Sequence, residues 1–395
     1  MKSRRAFFYV QHLLGIGHLR RTLTFAKALA AKEIEVTLAS GGFPVAGLEL
    51  DDVRFVQLPP AAAADLTFKV LVGADERPVT EEWKSRRRDI LLDAWRTADP
   101  HALILELYPF GRRQMRFELI PLLDAAFGTA RRPLIASSVR DILGGGQKDA
   151  ARQVEMLEVF NRYFDRVMVH GDPSVIPFAQ TFRHAEAIGE KLQYTGYIVD
   201  RSGSRSMAAG IRETGSGAEV IVSAGGGAVG MRLLETAIRA RAHTVLAQAP
   251  WRILCGVNAP ASDLEGLRGL ARETGTDRVI VERARADFDK LLANCAVSIS
   301  QGGYNTVMDI LQAEARAVVV PFSGGGETEQ TVRAKAFADR RLIETIPEEG
   351  LSPGSLAAAV DRAATRSRPP RGTVDLGGAH RSAALLAGWM ADVPW

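Results

Sequence analysis

Hydrophobic and polar positions along this chain follow two alternating periods. Short, nearly continuous apolar runs such as Ala102–Leu107 are typical of buried strands. Longer stretches such as Leu19–Ala30 place apolar residues three or four positions apart, which indicates a helix with one buried face. Strand and helix patterns alternate along the sequence. This order predicts an α/β protein built from parallel sheets with crossover helices.

The first half of the chain predicts one such α/β layer. Strands are expected at Arg5–Val10, Glu35–Ser40, Arg54–Leu58, Ala102–Leu107, Pro133–Ser138 and Arg166–Val169. Helices are expected at Leu19–Ala30, Thr80–Ala98, Arg112–Phe127 and Lys148–Phe164. The segment Ala61–Pro78 shows no clear period and is expected to form a loop.

The second half repeats the pattern after a stretch rich in Gly, Ser and Arg, Tyr197–Gly217, which predicts a linker. Strands are expected at Glu219–Ser223, His243–Gln248, Trp251–Gly256, Arg278–Val281, Val297–Ile299 and Ala317–Val320, and a last helix at His380–Trp395. We therefore predict four parts: a Rossmann-like domain at 1–198, a linker at 199–217, a second Rossmann-like domain at 218–375 and a terminal helix at 376–395.

Length and composition agree with two globular domains, since 395 residues with 46% hydrophobic and 24% charged residues are ordinary values for such proteins. The apolar start at Ala6–Val10 is too short for a signal peptide, and no run reaches the roughly 20 apolar residues of a membrane span. Cys255 and Cys295 suggest neither a disulfide framework nor a zinc site. We expect a cytoplasmic protein.

The formal net charge is +4, and arginines cluster in the first half. Solvated helix faces explain such clusters, and so does a surface for an acidic acceptor or an anionic membrane leaflet. Peripheral contact with the inner face of the membrane therefore stays open. No nucleic-acid recognition motif is present, and nucleic acid is not an expected partner. The clusters are Arg4-Arg5, Arg20-Arg21, Arg86–Arg88, Arg112-Arg113 and Arg131-Arg132.

The stretch Val297–Arg333 carries the clearest functional pattern. A strand leads through Gly302-Gly303 into a helix that begins at Tyr304, and the free N–H groups and dipole of such a helix start favour a diphosphate. Asp309, one turn inside, is placed to bind a ribose or sugar hydroxyl. Glu329-Gln330 follows the next strand and suits several sugar hydroxyls, or forms a polar helix start capped by Thr328. The pattern predicts a nucleotide-sugar site.

A second motif, Gly15-Ile16-Gly17-His18, lies between the first strand and the first helix, where parallel sheets bind ligands. Arg20 fills the last position of a G-x-G-x-x-G pattern, which disfavours NAD. His18 suits a general base for an acceptor hydroxyl, or a helix-start hydrogen bond. His12 and Arg20 are alternatives. Glu106 ends an apolar strand and is expected to face the same site, where it pairs with His18 or the acceptor.

Two further stretches leave alternatives open. The loop Ser223–Gly230 contains Gly225, Gly226 and Gly227, which allow a phosphate or an acceptor to approach the backbone, or form a flexible connector. Asp287-Phe288-Asp289 has the form of a metal–diphosphate motif, but acids at a helix start also complement the helix dipole. No metal ion is expected.

The stretch Val297–Arg333 resembles the donor-binding half of the GT-B glycosyltransferases, and is most similar to the MurG-like family of UDP-N-acetylglucosamine transferases. The matching parts are the Gly turn, the helix acid, the strand end Val320-Pro321-Phe322 and the Glu329-Gln330 pair. Three features depart from the family: Asp309 replaces Glu, Ala313–Arg316 replaces Ala-Gly-x-Pro, and the loop Ser323–Glu327 is about one residue longer.

The resemblance implies a fold of two Rossmann-like domains facing across a cleft, with the last helix crossing back onto the first domain. It implies an inverting, metal-independent transferase without a cofactor. The co-substrate is a UDP-sugar, and the acceptor is unidentified, acidic or lipid-linked. His18 is the expected base, with Gly15, Gly17 and Glu106 at the acceptor loop. Donor-binding residues are Gly225, Gly226, Gly227, Arg285, Ser300, Gly302, Gly303, Asp309, Glu329 and Gln330. The uracil ring of the donor is expected to meet the main chain near Ala284–Ala286.

Two other functions stay open. An isomerase resembling UDP-N-acetylglucosamine 2-epimerase shares the fold and donor site, and would use Asp309, Glu327 and Glu329 as acid/base groups. A catalytically silent nucleotide-sugar-binding protein is the other alternative. Its support is the unusual segment Glu314–Arg316.

Overall fold

The computed structural model describes residues 4–13, 15–65, 70–144, 150–200, 219–224, 230–256, 259–285, 287–324 and 328–392. The chain divides into two compact units. The first contains Met1–Ile198 and Gly377–Trp395, and the second contains Val199–Leu376. Each unit has its own sheet and its own apolar core. Most of the expected linker at 199–217 falls outside the described residues.

The first unit is built on a seven-stranded sheet in the order β3-β2-β1-β6-β7-β8-β9, with every neighbouring pair parallel. After β1 the chain proceeds to β2 and β3 on one side and returns to β6 on the other. The carboxyl ends of β1 and β6 therefore flank the position where ligands bind in such sheets. The strands are β1 Arg5–Val10, β2 Glu35–Ser40, β3 Val53–Gln57, β6 Ala102–Glu106, β7 Leu134–Arg140, β8 Arg166–His170 and β9 Leu192–Tyr194.

Helices cover both faces of this sheet, which explains why its strands are apolar on both sides. On one face α11 packs against α1, and Leu386 and Met390 join the cluster that contains Phe8 and Phe25. On the other face α2 and α3 pack together over a second cluster. The helices are α1 Gly17–Ala30, α2 Glu81–Ala98, α3 Arg116–Phe127, α4 Ala150–Tyr163 and α11 Gly378–Asp392.

A buried polar network holds the loops at the carboxyl end of this sheet. Arg87 of α2 and Glu118 of α3 are fully buried and form a bidentate pair with distances of 2.7 and 2.9 Å. Arg87 also donates to Gln11 Oε1 at 2.6 Å and to the carbonyl of Gly41 at 2.9 Å. A Cβ at Gly41 would lie 2.1 Å from Arg87 Nη2, so any side chain at this position would displace the guanidinium from the network. The network ties the ends of β1 and β2 together.

The second unit contains a six-stranded parallel sheet in the order β12-β11-β10-β13-β14-β15. Here the order changes direction between β10 and β13, so these strand ends flank the expected ligand position. The strands are β10 Val220–Ser223, β11 Trp251–Cys255, β12 Val279–Arg283, β13 Val297–Ser300, β14 Ala317–Val319 and β15 Glu344–Thr345. The helices are α5 Met231–Ala240, α6 Ala261–Glu273, α7 Phe288–Asn294, α8 Tyr304–Gln312, α9 Glu329–Asp339 and α10 Pro353–Thr365.

The structure differs from the prediction in two segments. The expected strand His243–Gln248 is wrong: a 3-10 helix at Arg241–His243 is followed by turns. The Thr244 hydroxyl donates to the Arg241 carbonyl at 3.0 Å and accepts from Leu246 N at 3.2 Å, and such local bonds compete with a strand ladder. The expected loop at 61–78 contains a short antiparallel pair, β4 Ala62–Ala63 and β5 Leu71–Val72.

None of the helices in the described part of the chain is both long enough and apolar enough to cross a membrane.

Candidate functional site

His18 and Glu106 form a hydrogen-bonded pair at the carboxyl edge of the first sheet. Glu106 is the last residue of β6, and His18 lies in the first turn of the helix that follows β1. Because β1 and β6 are parallel neighbours with Tyr9 opposite Leu105, both residues emerge at the same edge. His18 Nδ1 lies 2.7 Å from Glu106 Oε1. The expected pairing between a Gly-loop histidine and this carboxylate is therefore present in the fold.

The surroundings set the charge of this pair. Burial lowers the pKa of His18 to about 3, against the raising effect of Glu106. Burial alone would raise the pKa of Glu106, but His18, Arg21 and Arg112 hold it well below the usual range. Neutral His18 therefore donates its Nδ1–H to a charged carboxylate, which leaves Nε2 as an acceptor. Among the described residues, no hydrogen bond engages this Nε2.

Arg21 and Arg112 were noted in the sequence only as members of charge clusters, yet both lie at this site. Arg21 is 4% exposed and donates to Glu106 Oε1. Arg112, six residues beyond Glu106, donates its Nε–H to the Gln11 carbonyl at 2.8 Å. The only sequence signal for them was their position, three residues after His18 and shortly after the end of β6.

The glycine loop before α1 leaves room at one position. A Cβ at Gly15 would have no atom within 4 Å among its described surroundings, so packing does not require glycine there. Gly17 begins α1, whose first turn contains no acidic residue and whose N-cap, Ile16, offers no side-chain cap. His12 is buried, and its Nε2 lies 3.1 Å from the Phe43 carbonyl, which makes it a structural group. Arg20 is exposed.

In the second unit, Ser300 ends β13 directly before the turn that leads into α8. Ser223 ends the neighbouring strand β10 and is its register partner. Both side chains are buried, and their hydroxyls have no hydrogen-bond partner among the residues that the structure describes. A buried hydroxyl without a partner costs free energy, and these two lie side by side at the carboxyl edge, where parallel sheets bind ligands. Sequence analysis named Ser300 but not Ser223.

The turn glycines have different roles. A Cβ at Gly302 would lie 3.2 Å from the Cβ and carbonyl oxygen of Gln330, so Gly302 is small because α9 packs against it. At Gly303 the nearest atom to a Cβ would be Thr306 Oγ1 at 4.0 Å. Gly303 is the N-cap of α8 and provides no side chain to cap that helix, which has no acid in its first turn. Gly303 therefore places no side chain over the start of α8.

Glu329 and Gln330 are engaged inside the second unit. Glu329 Oε1 lies 2.8 Å from Nη2 of Arg333, and both residues are buried. Gln330 Oε1 accepts from Phe322 N at 3.0 Å. Thr328 makes no side-chain cap, so the interpretation of a capped polar helix start is wrong. The two side chains hold the loop after β14, and their contact with a sugar stays a prediction.

The remaining predicted donor residues are spread along the unit. Asp309 is half-buried on α8. Arg285 donates to both carboxylate oxygens of Asp287 at 2.8 Å, and this pair lowers the pKa of Asp287 to about 2. No group of three metal-ligating side chains occurs within the described ranges. The residues Gly225, Gly226, Gly227, Ala286 and Glu327 lie outside those ranges.

The segment that departs from the family pattern has a structural role. Glu314 follows α8 with φ of 51° and is only 9% exposed, and its carboxylate pairs with Arg371. Arg316 donates to the Arg366 carbonyl at 2.6 Å. Both residues attach the segment after α10 to the sheet. This role removes the argument that the segment marks a silent binding protein.

Comparison with protein families and curated proteins assigns part of the chain. Residues 225–371 match the family model of the Glycosyltransferase family 28 C-terminal domain. Two similar curated proteins are UDP-N-acetylglucosamine--N-acetylmuramyl-(pentapeptide) pyrophosphoryl-undecaprenol N-acetylglucosamine transferases. The protein from Geobacillus kaustophilus is 26% identical over 147 residues, 37% of this chain and 39% of that protein. The protein from Geobacillus thermodenitrificans is 23% identical over 194 residues, 47% of this chain and 51% of that protein. The aligned parts thus span about half the length of these relatives or less.

Solved structures resemble the whole chain. A calicheamicin glycosyltransferase is 17% identical, with a TM-score of 0.64 over 100% of both chains. MurG from Acinetobacter baumannii is 13% identical, with a TM-score of 0.60 over 97% of this chain and 99% of that one. At this identity the likeness shows the fold alone. The predicted fold class, two Rossmann-like α/β domains of the GT-B type, is confirmed.

Proposed function

We propose that this protein, a GT-B chain with a glycosyltransferase family 28 C-terminal domain at residues 225–371, is an inverting glycosyltransferase. It transfers a sugar from a UDP-sugar to a hydroxyl group of an acceptor. The curated relatives bear the name of UDP-N-acetylglucosamine transferases, which supports a UDP-sugar as the donor. The second unit binds the donor, and the first unit supplies the base that activates the acceptor.

The hydrogen bond between His18 Nδ1 and Glu106 Oε1 is the observation that carries this proposal. It leaves Nε2 of a neutral imidazole as a proton acceptor, while the carboxylate stabilises the imidazolium that forms. As the acceptor O–H gives its proton to Nε2, its oxygen bonds to the anomeric carbon. The bond from that carbon to the diphosphate oxygen breaks, and UDP leaves. A single displacement with one base inverts the anomeric centre.

The leaving diphosphate requires a positive, preorganised site. The start of α8 offers the positive end of the helix dipole, and no side chain at Gly303 covers it. The buried hydroxyls of Ser223 and Ser300 add donors at the adjacent strand ends. We propose that these groups bind the diphosphate and stabilise its charge without a metal ion or another cofactor. Asp309, on the same helix, binds the ribose. Cytoplasmic location and peripheral membrane contact stay predictions.

The donor half of the proposal is tested by calorimetric titration. Wild-type protein and Asp309→Ala are titrated with UDP, TDP, GDP and NAD. We expect binding that is selective for UDP and is weakened about tenfold or more by Asp309→Ala, because a carboxylate bound to a ribose hydroxyl contributes 1.5–3 kcal/mol by rough estimate. Lys335→Ala, an exposed position of the same unit, is the control. Binding of NAD alone, or equal affinity for all nucleotides, would overturn the donor assignment.

The transfer half needs a separate assay. UDP release from a panel of UDP-sugars is measured with and without hydroxyl-bearing acceptors, in the presence of EDTA. The proposal expects acceptor-dependent UDP release that survives EDTA, and a product of opposite anomeric configuration to the donor. Retention of configuration, or loss of activity in EDTA that a divalent ion restores, would contradict it.

A further inference from the structure

The guanidinium group of Arg112 lies close enough to the His18–Glu106 pair to feel the charge of Glu106, yet forms no ion pair with any described residue. Arg112 forms no ion pair within the described ranges, and its one hydrogen bond there joins Nε–H to the Gln11 carbonyl at 2.8 Å. Burial lowers the pKa of Arg112, against the raising effect of Glu106. The side chain is half-buried and stays charged. Its terminal nitrogens Nη1 and Nη2 donate to no described residue.

Arg87 and Arg112 differ in burial and in pairing, since Arg87 is fully buried and Arg112 is half-buried. Arg87 is a buried arginine of the same unit, and each of its nitrogens donates to a carboxylate, an amide oxygen or a backbone carbonyl. Buried cations are normally paired in this way, because desolvation of an unpaired charge is costly. Nη1 and Nη2 of Arg112 are therefore able to donate further hydrogen bonds. The Nε bond fixes the plane of the guanidinium, which leaves its two outer nitrogens as a fork that suits an oxyanion.

The surrounding charges do not supply that oxyanion. Glu106, the acid whose charge most raises the pKa of Arg112, is bound by His18 and Arg21 through Oε1, and its Oε2 forms no hydrogen bond with a described residue, Arg112 included. Arg21 and Arg140 each lower the pKa of Arg112 through their own positive charge. The helix that starts at Gly17 has no acid in its first turn. Among the charged side chains that act most strongly on the pKa of Arg112, two are arginines and one is a carboxylate.

We propose that Arg112 binds an anionic group of the acceptor, a phosphate or a carboxylate, and thereby brings the acceptor hydroxyl to His18. This inference rests on the proposed transferase function and adds the chemical class of its acceptor. Arg112 acts as a specificity-determining residue, because an acceptor that lacks the anion leaves the guanidinium unpaired.

The electrostatics of the base agree with this role. Besides burial, the charges of Arg112 and Arg140 lower the pKa of His18, whereas the charge of Glu106 raises it. Nη2 of Arg21 lies 3.4 Å from His18 Nδ1. An anion bound to Arg112 offsets one of the lowering charges. His18 then becomes a stronger base when the acceptor is in place, and a weaker one when the site contains water.

The test uses methyl phosphate and acetate as probes, since each carries the anion without the rest of an acceptor. Full-length protein saturated with UDP is titrated with each probe, and binding is followed by calorimetry and by NMR of the histidine ring protons. The variants are Arg112→Gln, Arg112→Lys and the control Arg113→Gln, which changes an exposed neighbour. UDP affinity is measured for each variant as a check on the fold.

We expect saturable binding of at least one probe to wild type and to Arg113→Gln. Arg112→Gln is expected to weaken it about tenfold or more, and Arg112→Lys less, because lysine keeps the charge but loses the fork. A preference for methyl phosphate identifies a phosphorylated acceptor, and a preference for acetate identifies a carboxylated one. Equal affinities of wild type and Arg112→Gln, or no saturable binding, would overturn the proposal.

Failure of the underlying function gives a different result. If UDP does not bind to wild type, the donor assignment fails, and the same titration without nucleotide still decides whether Arg112 binds an anion. If UDP binds and the anion does not, the transferase proposal stands and the acceptor class is wrong.

Discussion

His18 Nδ1 lies 2.7 Å from Glu106 Oε1, although 88 positions separate the two residues in the chain. The pair depends on β1 and β6 being parallel neighbours, since each residue follows or ends one of these strands. The carboxylate selects the tautomer in which Nε2 is free to accept a proton. Because burial disfavours the charged imidazole, Nε2 is available at neutral pH.

Replacement of the base should abolish transfer without affecting the donor site. We expect His18→Gln to reduce kcat for sugar transfer by about 10²–10⁴, the range for loss of a general base. UDP affinity should not change. His380→Gln, at an exposed histidine, is the matched control and should keep full activity. A His18→Gln protein with wild-type kcat would assign the base to another residue.

The pH profile of kcat/KM reports the free protein, in which the pKa of His18 is about 3 instead of the usual 6.5. The reactive form is the neutral one, and it is lost only when pH falls to the lowered pKa. We therefore expect kcat/KM to stay level from about pH 8 down to about pH 5, whereas an ordinary histidine would lose activity near its own pKa. A decline centred near pH 6.5 would contradict the buried, neutral state of His18.

Substitution of the two buried serines of β13 distinguishes an effect on ligand binding from an effect on stability. Ser300 and Ser298 have buried hydroxyls without partners among the described residues, and they lie two positions apart on the same face. Removal of a hydroxyl that lacks a partner removes a desolvation cost, so both Ser→Ala variants should keep or raise the free energy of unfolding, by up to about 1 kcal/mol.

The two variants should differ in UDP affinity, measured by calorimetry. Ser300→Ala is expected to weaken UDP binding about tenfold or more, the cost of one hydrogen bond to a charged group. Ser298→Ala lies one pleat further from the carboxyl edge and should leave UDP affinity unchanged. An unchanged UDP affinity of Ser300→Ala would show that its hydroxyl does not meet the diphosphate.

The Arg87–Glu118 pair should dominate the stability of the first unit. Glu118→Leu leaves the fully buried Arg87 without its carboxylate, and we expect a loss of about 3–5 kcal/mol in urea unfolding. The double variant Arg87→Met/Glu118→Leu should recover much of that loss, because it leaves no unpaired charge. Lys335→Met breaks an exposed pair with Asp339 and should cost about 1 kcal/mol or less. A small effect of Glu118→Leu alone would mean that water reaches Arg87.

Buried histidines should make the protein sensitive to acid. Burial lowers the pKa of His170 to about 3, while its imidazole binds the hydroxyls of Ser138 and Thr195 at 2.7 and 2.8 Å. The unfolded chain takes up a proton near pH 6.5 and the folded chain does not, so stability is lost as pH falls below 6.5. In this window His170 contributes a slope of about 1.4 kcal/mol per pH unit.

Urea unfolding at a series of pH values measures that slope. His170→Asn should be less stable than wild type at neutral pH but should show a shallower decline between pH 6.5 and about pH 4, by close to one proton. An unchanged slope would mean that His170 is protonated in the folded protein.

Local pattern was enough to predict most of the strands, the α/β class and the turn before α8. The spacing of apolar residues shows which face of a segment is buried. The Gly pair at 302–303 ends a strand in any fold. The prediction of a strand at His243–Gln248 was wrong, and the reason is also local. Its residues are apolar enough for a strand, but Thr244 and Arg241 satisfy the backbone groups through turns.

The tertiary structure alone decided which distant side chains meet. Ser223 became a candidate only because β10 lies in register with β13, and Arg112 only because its loop returns to the Gln11 carbonyl at the end of β1. The sequence by itself determined where most strands end, and it made His18, Glu106 and Ser300 candidates for the site. It could not determine the order of the strands within each sheet, their register or the packing that keeps Gly302 small. These depend on contacts between distant segments, whereas a periodic pattern shows only which face each segment buries.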